Sequence, residues 1–443
     1  MTYETHPLQP LLGRKHGLRL LHTADWHLGK LLGEHSREEE HRQFLSFLVA
    51  TIGEHSIDTL LIAGDVFDSA NPPQSAVAQY YDFVSTLFRE TRCSVVIVAG
   101  NHDSPAHLEA PRQILKSLRA HVVGALPGAP VDALVPLPSR EAAKIVVAAV
   151  PFLRDRDLRT GQSGQGAGEI QRDLVEGIRR RYEEVAKAAA DSTANGLPLV
   201  ATGHLTVTGA STSESEREIH VGGLGSVGAD CFPEAFAYVA LGHLHRPQSA
   251  GGRERVRYSG SPIALSFSES SDLKELRMIE FSAGGALEQT ALNIPLSRQL
   301  AQIRSSRNAL EAELKAFQPA GGHLRPWVEV VVEDPVPGED LHDLVHELTT
   351  GCEFEVIRVV GKRATPPASL KAGGRSAAEG IEQLLGDPSK VFSHRLADEP
   401  ALGDEERGAL KTAFEELRNL HVERQREDAA PAAVAAQAAG GKA

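Results

Sequence analysis

Five apolar runs in the chain end the same way, giving out directly into Asp, His or Asn. Residues 18–21 lead into His22-Thr23-Ala24-Asp25-Trp26-His27, residues 59–63 into Gly64-Asp65, and residues 95–99 into Gly100-Asn101-His102-Asp103. Residues 199–201 lead into Gly203-His204, and residues 238–241 into Gly242-His243-Leu244-His245. Short, unbroken runs of Val, Ile, Leu and Ala are the pattern of strands buried on both faces of a sheet. Open α/β sheets collect their ligand sites at the carboxyl ends of such strands. Glycine at positions 64, 100, 203 and 242 lets the chain turn sharply off each strand and aim the next side chain inward. A sixth run, residues 145–150, has no such ending.

Helical spacing fills the gaps between the strands. Ser36-Arg37-Glu38-Glu39 reads as a capping box ahead of Phe44, Leu45, Leu48, Val49 and Ile52. Further helices are predicted through Val77, Tyr81, Val84 and Phe88, through Ile114, Leu115 and Leu118, and through Ile170, Leu174, Ile178, Tyr182 and Val185. Strands alternating with helices predict a layered α/β domain over residues 18–285, ending at the Gly284-Gly285 turn, after an N-terminal extension of residues 1–17. Residues 286–365 read as a small α/β module. It comprises a helix through Leu300, Ile303, Leu310, Leu314 and Phe317, a strand at 327–332, a helix at 341–348 and a strand at 354–360. Residues 366–427 comprise a linker and two helices, one through Ile381, Leu384 and Leu385, the other through Leu410, Phe414, Leu417 and Leu420. The Ala- and Gly-rich residues 428–443 carry no pattern and are expected to be disordered.

The residue types at the strand ends are imidazole, carboxylate and amide, with no thiolate. Such a set favours Mn, Fe or Zn over a soft metal. Taken singly, Asp25 and Asp65 are equally compatible with helix N-caps; Asn101 can also be read as a turn residue, and His243 and His245 as core histidines on one face. All of these readings would have to hold independently to explain five strand ends. The three cysteines, Cys93, Cys231 and Cys352, are too scattered for a disulfide framework and point to a reducing compartment. No secretory signal is evident, and the longest apolar run, nine residues from Ile145 to Leu153, is half of the ~18 needed to span a bilayer. A cytoplasmic protein with no membrane contact is expected. The net charge of −13 argues against a whole-surface grip on nucleic acid, so any DNA binding needs a local basic patch or bound cations.

Six stretches resemble one known family. They are residues 20–29 (LLHTADWHLG), 63–68 (AGDVFD), 99–104 (AGNHDS), 201–210 (ATGHLTVTGA), 240–246 (ALGHLHR) and 258–267 (YSGSPIALSF). In this order they are similar to the calcineurin-like metallophosphoesterases, and within them to the bacterial nuclease subunits that work with an SbcC-type coiled-coil ATPase. The resemblance implies a sandwich of two central sheets flanked by helices, with a small α/β cap and C-terminal helices. It implies two Mn²⁺ ions, with Mg²⁺ as the alternative: one on Asp25, His27, Asp65 and His245, the other on Asp65, Asn101, His204 and His243. Asp65 would bridge, since one carboxylate can hold two ions ~3.5–4 Å apart. His102 is expected as the catalytic histidine beside the phosphate, oriented by Asp103 through its other ring nitrogen. Asp68 stands where archaeal and eukaryotic relatives usually carry histidine.

The implied activity is a DNA exonuclease and single-strand or hairpin endonuclease, serving recombination and repair as a homodimer within a heterotetramer. The chain has no Walker A loop, so ATPase activity must come from a partner. Candidate DNA contacts are Lys30, Arg37, Arg154, Arg156 and Arg159, each equally readable as solvated charge. The C-terminal stripe is expected to dock on the ATPase coiled coil. Two competing functions use the same residues: a stand-alone nucleotide phosphodiesterase or phosphomonoesterase, and a non-catalytic DNA-end tether.

Overall fold

The computed structural model describes residues 17–139, 142–158, 167–192, 196–213, 215–216, 226–282, 287–336 and 338–362 of a first unit, Met1–Lys362. In a second unit, Arg363–Ala443, it describes residues 392, 396, 408 and 410–414. The N-terminal extension, the Gly284-Gly285 turn, the linker, most of the C-terminal helices and the tail lie outside the described residues.

In chain order the first elements are β1 (Leu18–Thr23), β2 (Leu31–Leu32), β3 (His35–Ser36), α1 (Glu38–Glu54), β4 (Thr59–Ala63), α2 (Gln74–Glu90), β5 (Ser94–Val98), α3 (Pro105–Glu109), α4 (Arg112–Ser117) and β6 (Ala120–Val123). Then come β7 (Leu134–Leu137), β8 (Ile145–Ala148), α5 (Asp155–Leu158), α6 (Ala167–Ser192), β9 (Leu199–His204) and β10 (Phe236–Gly242). They are followed by β11 (Gln248–Ala250), β12 (Arg253–Tyr258), β13 (Glu275–Phe281) and β14 (Leu287–Asn293). A last group holds β15 (Arg298–Ser305), α7 (Leu310–Ala316), β16 (Leu324–Val332), α8 (Leu341–Thr349) and β17 (Glu355–Gly361).

Two six-stranded sheets stack face to face, in the orders β14-β13-β1-β4-β5-β6 and β11-β12-β10-β9-β8-β7. In the first, β1, β4, β5 and β6 run parallel; in the second, β8, β9, β10 and β12 do. Alternation along each strand explains the unbroken apolar runs. Leu20, Leu61, Val96 and Val98 face Ile145, Val147, Val200, Tyr238 and Ala240 in the layer between the sheets. Their neighbours Leu21, Leu60, Ile62, Val95 and Ile97 pack outward against α1 and α2, and Val146, Ala148 and Ala201 pack against α6. Each large apolar side chain contributes about 1.5–3 kcal/mol when buried, so the strand interiors are mostly apolar, and the buried polar exceptions His22 and Thr202 are hydrogen-bonded.

Four local expectations need correction. Ser36 forms no capping box: the residue before α1 is Arg37, and the Ser36 hydroxyl accepts only a 3.3 Å bond from the Glu38 amide. α2 buries Ala76, Tyr80, Phe83, Val84 and Leu87, one residue out of phase with the predicted stripe, leaving Tyr81 exposed. On α4 only Leu115 is buried, with Ile114 and Leu118 facing solvent. Leu300 and Ile303 lie in strand β15, not in a helix, because parallel pairing with β16 outweighs local spacing; the helix is only α7.

The small module is a three-stranded parallel sheet, β15-β16-β17, packed on α7 and α8 through Ile303, Leu310, Leu314, Val328, Val330, Val345 and Phe354. It begins later than residue 286, since β14 pairs with β13 in the first large sheet. Trp327 and Leu300 join it to Phe267 of the larger layer. In the second unit, the rings of Phe392 and Phe414 stack at 4.1 Å.

Candidate metal centre

The ends of β1, β4, β5, β9 and β10 meet at one edge of the sandwich. The loop after β1 lies along the loop after β4, with the amides of Asp25 and His27 donating to the carbonyls of Gly64 and Asp65, both at 3.0 Å. Close approach explains the glycines. A Cβ at Gly64, where φ is +96°, would lie 2.3 Å from Nδ1 of His204, and one at Gly242 would lie 2.0 Å from the Ala63 carbonyl. Asp25, His27, Asp65 and His243 themselves have φ of 53°, 50°, 49° and 98°. Left-handed backbone at a non-glycine residue costs about 1–3 kcal/mol and clusters at functional sites.

All seven expected ligands converge here. Oδ2 of Asp65 lies 3.5 Å from Nε2 of His27 and 3.3 Å from Nε2 of His204, which is 2.9 Å from Oδ1 of Asn101. Ligand atoms of Asp25, His27 and His245 lie within 4.8 Å of one another, as do those of Asp25, Asp65 and His204. The His243 ring lies 5.4 Å from that of His204. Oδ2 of Asp25 and Nε2 of His27 are buried without a hydrogen-bond partner. A bare buried carboxylate oxygen beside a bare imidazole nitrogen is costly unless a cation occupies the space between them. This donor set fits divalent metal.

The electrostatics divide the ligands: Asp25 and His204 hold protons that a cation would displace, and the others are already in the form that binds metal. Burial, with Asp65 nearby, pushes the Asp25 carboxyl well above its usual range. Burial also works against a charged Asp65, but His204 more than offsets it and holds that carboxylate low. Burial opposes the His204 imidazolium too, yet Asp65 and Asp25 raise it to about 9. His27, His243 and His245 are pushed down by burial, which keeps the neutral form that binds metal.

The sequence pattern of the calcineurin-like phosphoesterases matches residues 18–247, more than half of the chain. The chain belongs to this family. A second family pattern, described as the type 5 capsule protein repressor C-terminal domain, matches residues 297–400. The chain is 37% identical over 388 residues to the SbcD subunit of the SbcCD nuclease of Escherichia coli (strain K12), covering 86% of this chain and 93% of that one. The proteins of the same name from Rhodobacter capsulatus and Bacillus subtilis are 42% identical over 296 residues and 32% identical over 331. These alignments cover 65% and 74% of this chain, and 71% and 82% of theirs.

Metal-binding side chains need holding from behind. Nδ1 of His27 lies 3.1 Å from Oδ1 of Asp68, which Lys30 Nζ approaches at 3.1 Å. Nδ1 of His204 meets the Ala63 carbonyl at 3.0 Å. Nδ1 of His245 faces Ser215 Oγ at 2.6 Å and Glu269 Oε1 at 3.3 Å. Fixing the far nitrogen sets the tautomer and aims the near one at the metal. Sequence reasoning missed Glu269 and gave Asp68 no such task.

His102 joins the cluster, with a ring nitrogen within 4.8 Å of the ligand atoms of His27 and Asp65. The expected route of orientation needs correction. Nδ1 of His102 bonds the Asp68 carbonyl at 2.7 Å, while the Asp103 carboxylate accepts the amides of Val66, Phe67 and Gly100. Asp103 thus pins the loops after β4 and β5 together, and Ser104 caps α3.

The cationic candidates separate. Arg37 is 1% exposed, bonded to Glu40 at 2.8 Å and to the Ala264 carbonyl at 2.7 Å, so it faces the interior and not DNA. Lys30 sits on Asp68 behind His27. Arg154 follows Phe152, whose ring lies edge-on to His204 at 6.3 Å. The Arg156 side chain and all of Arg159 lie outside the described residues. No helix among the described residues is long and apolar enough to cross a membrane.

Proposed function

We propose that this phosphoesterase is a Mn²⁺-dependent DNA nuclease subunit, a double-strand exonuclease and single-strand or hairpin endonuclease acting in recombination and repair. The single observation that carries the reading is the bare pair, Asp25 Oδ2 and His27 Nε2, buried beside Asp65 at the meeting of two sheets. The relatives that bear the name of the SbcCD nuclease support DNA as substrate and an SbcC-type ATPase as partner.

Asp25, His27, Asp65 and His245 would hold one cation, and Asp65, Asn101, His204 and His243 the other. Bound cations supply Lewis acidity to the phosphate oxygens and acidify water near neutral pH. The chain's own residues do the rest. Asp65 turns Oδ2 toward both His27 and His204 while its Oδ1 accepts the His102 amide at 2.9 Å, and the neutral His27, His243 and His245 present lone pairs inward. His102, anchored through Nδ1, holds or releases a proton at its other ring nitrogen beside the scissile phosphate. The small module would contact DNA as a cap, and residues 366–427 would dock on the ATPase. The working assembly would be cytoplasmic and nucleoid-associated, with two copies of this chain and two ATPase subunits.

The test is cleavage of a blunt DNA hairpin and of bis(p-nitrophenyl) phosphate in parallel, in Mn²⁺ or Mg²⁺, with and without ATP and the ATPase. Hairpin cleavage in Mn²⁺, strengthened by the ATPase, is expected. Turnover of the small ester without any hairpin cleavage would contradict the reading.

A further inference from the structure

We infer that Glu269 is a positioning residue for His245, fixing which ring nitrogen of that histidine is free to bind metal. The inference rests on the metal reading above and goes beyond its ligand set. Glu269 is fully buried, in the short turn Phe267–Glu269, 24 residues from its histidine. Its Oε1 faces Nδ1 of His245 at 3.3 Å and also accepts the hydroxyls of Ser213, at 3.2 Å, and Ser215. Its Oε2 accepts Lys274 Nζ at 2.7 Å, the Leu265 amide at 3.1 Å and the Ser261 hydroxyl at 3.3 Å. Lys274, itself 9% exposed, reaches on to the His245 carbonyl at 3.0 Å.

Every group around the carboxylate donates to it, and a carboxylate has no proton to give. Glu269 Oε1, 3.3 Å from Nδ1, can only accept from the imidazole, and the Ser215 hydroxyl between them, which also meets Ser213 Oγ at 2.8 Å, can accept from the same ring N–H. The proton of neutral His245 therefore sits on Nδ1, and Nε2 is left as the lone pair facing Asp25 and His27. Lys274 compensates the buried charge and ties the backbone of His245 to the same carboxylate, so ring and main chain are held from one point.

The test is Mn²⁺ titration by calorimetry on the full chain, comparing wild type with Glu269→Gln. One of two sites should weaken 10–100-fold, the range for loss of an outer-shell partner, while the other keeps its affinity. The ¹⁵N shifts of His245 should move from a single tautomer to a mixture. Should E269Q fail to fold because Lys274 loses its counter-charge, the pair E269Q/K274M removes both charges and takes the same titration. Unchanged affinity at both sites, or equal weakening of both, would overturn the inference. Wild type that fails to bind two Mn²⁺ ions would overturn the metal reading itself.

Discussion

Oδ1 of Asp25 accepts the backbone amide of His243 at 2.8 Å, joining the end of β1 in one sheet to the end of β10 in the other. The bond makes the site a property of the sandwich, since neither sheet alone supplies both metal positions. Asparagine at this position can keep the bond through its carbonyl oxygen while losing the charge. Asp25→Asn should therefore stabilise the metal-free chain, by about 1–3 kcal/mol on the scale of an uncompensated buried polar group. It should also weaken Mn²⁺ binding more than tenfold. Urea melts in chelator, paired with Mn²⁺ titration, check both halves.

Metal removal should have a matching cost. A ligand bound only by the native state at 100 times its Kd adds about 2.7 kcal/mol. Dialysis against chelator should lower the thermal midpoint and Mn²⁺ should restore it. Asp25→Asn should show a reduced response.

Arg37 allows a sharper contrast. A surface DNA contact could be removed with little effect on stability. Arg37, though, shares Glu40 with Arg298, and the Arg298 guanidinium lies 3.9 Å over the Trp327 ring of the small module. Arg37→Ala leaves part of a buried charge unpaired and should cost on the order of 3 kcal/mol. Denaturant melts measure the cost, and DNA affinity of the folded fraction should be unchanged.

These residues also mark what was legible in the chain. The strand ends could be read because strands buried on both faces are mostly apolar, so Asp65, Asn101, His204 and His243 stand out where the apolar runs end. Glu269 could not: its partner is 24 residues away and it sits in a serine-rich turn with no period. Arg37 mimicked an exposed helix start, and only the docking of β16 beside it shows that it is buried. β13 and β14 mix Glu275, Arg277, Glu288 and Gln289 with apolar residues at the sheet edge, which blurs the strand pattern. Leu300 and Ile303, three residues apart, fit helical spacing and not strand alternation, and in β15 they go to different clusters, Leu300 with Phe267 and Trp327 and Ile303 with Leu310 and Leu314.

Acid sensitivity should come partly from His22. Burial between the sheets, where Nδ1 meets the Tyr238 hydroxyl at 3.0 Å, pushes its imidazole from 6.5 down to about 3. The unfolded chain takes up this proton near pH 6.5 and the folded chain does not. Stability is therefore fully present above pH 6.5 and falls as pH drops toward 3, by about 1.4 kcal/mol per unit from this one group. His22→Gln should flatten that part of the curve in urea melts from pH 7 to 4.

The most direct test of the site is hairpin cleavage in Mn²⁺ by wild type and Asp65→Asn side by side. Asp65 stands between His27 and His204 and is the proposed ligand of both ions. Outer partners cost 10–100-fold when lost, so the shared ligand should cost at least about a hundredfold in cleavage rate with the fold intact. Cleavage by Asp65→Asn at the wild-type rate would contradict a two-metal centre built on this carboxylate.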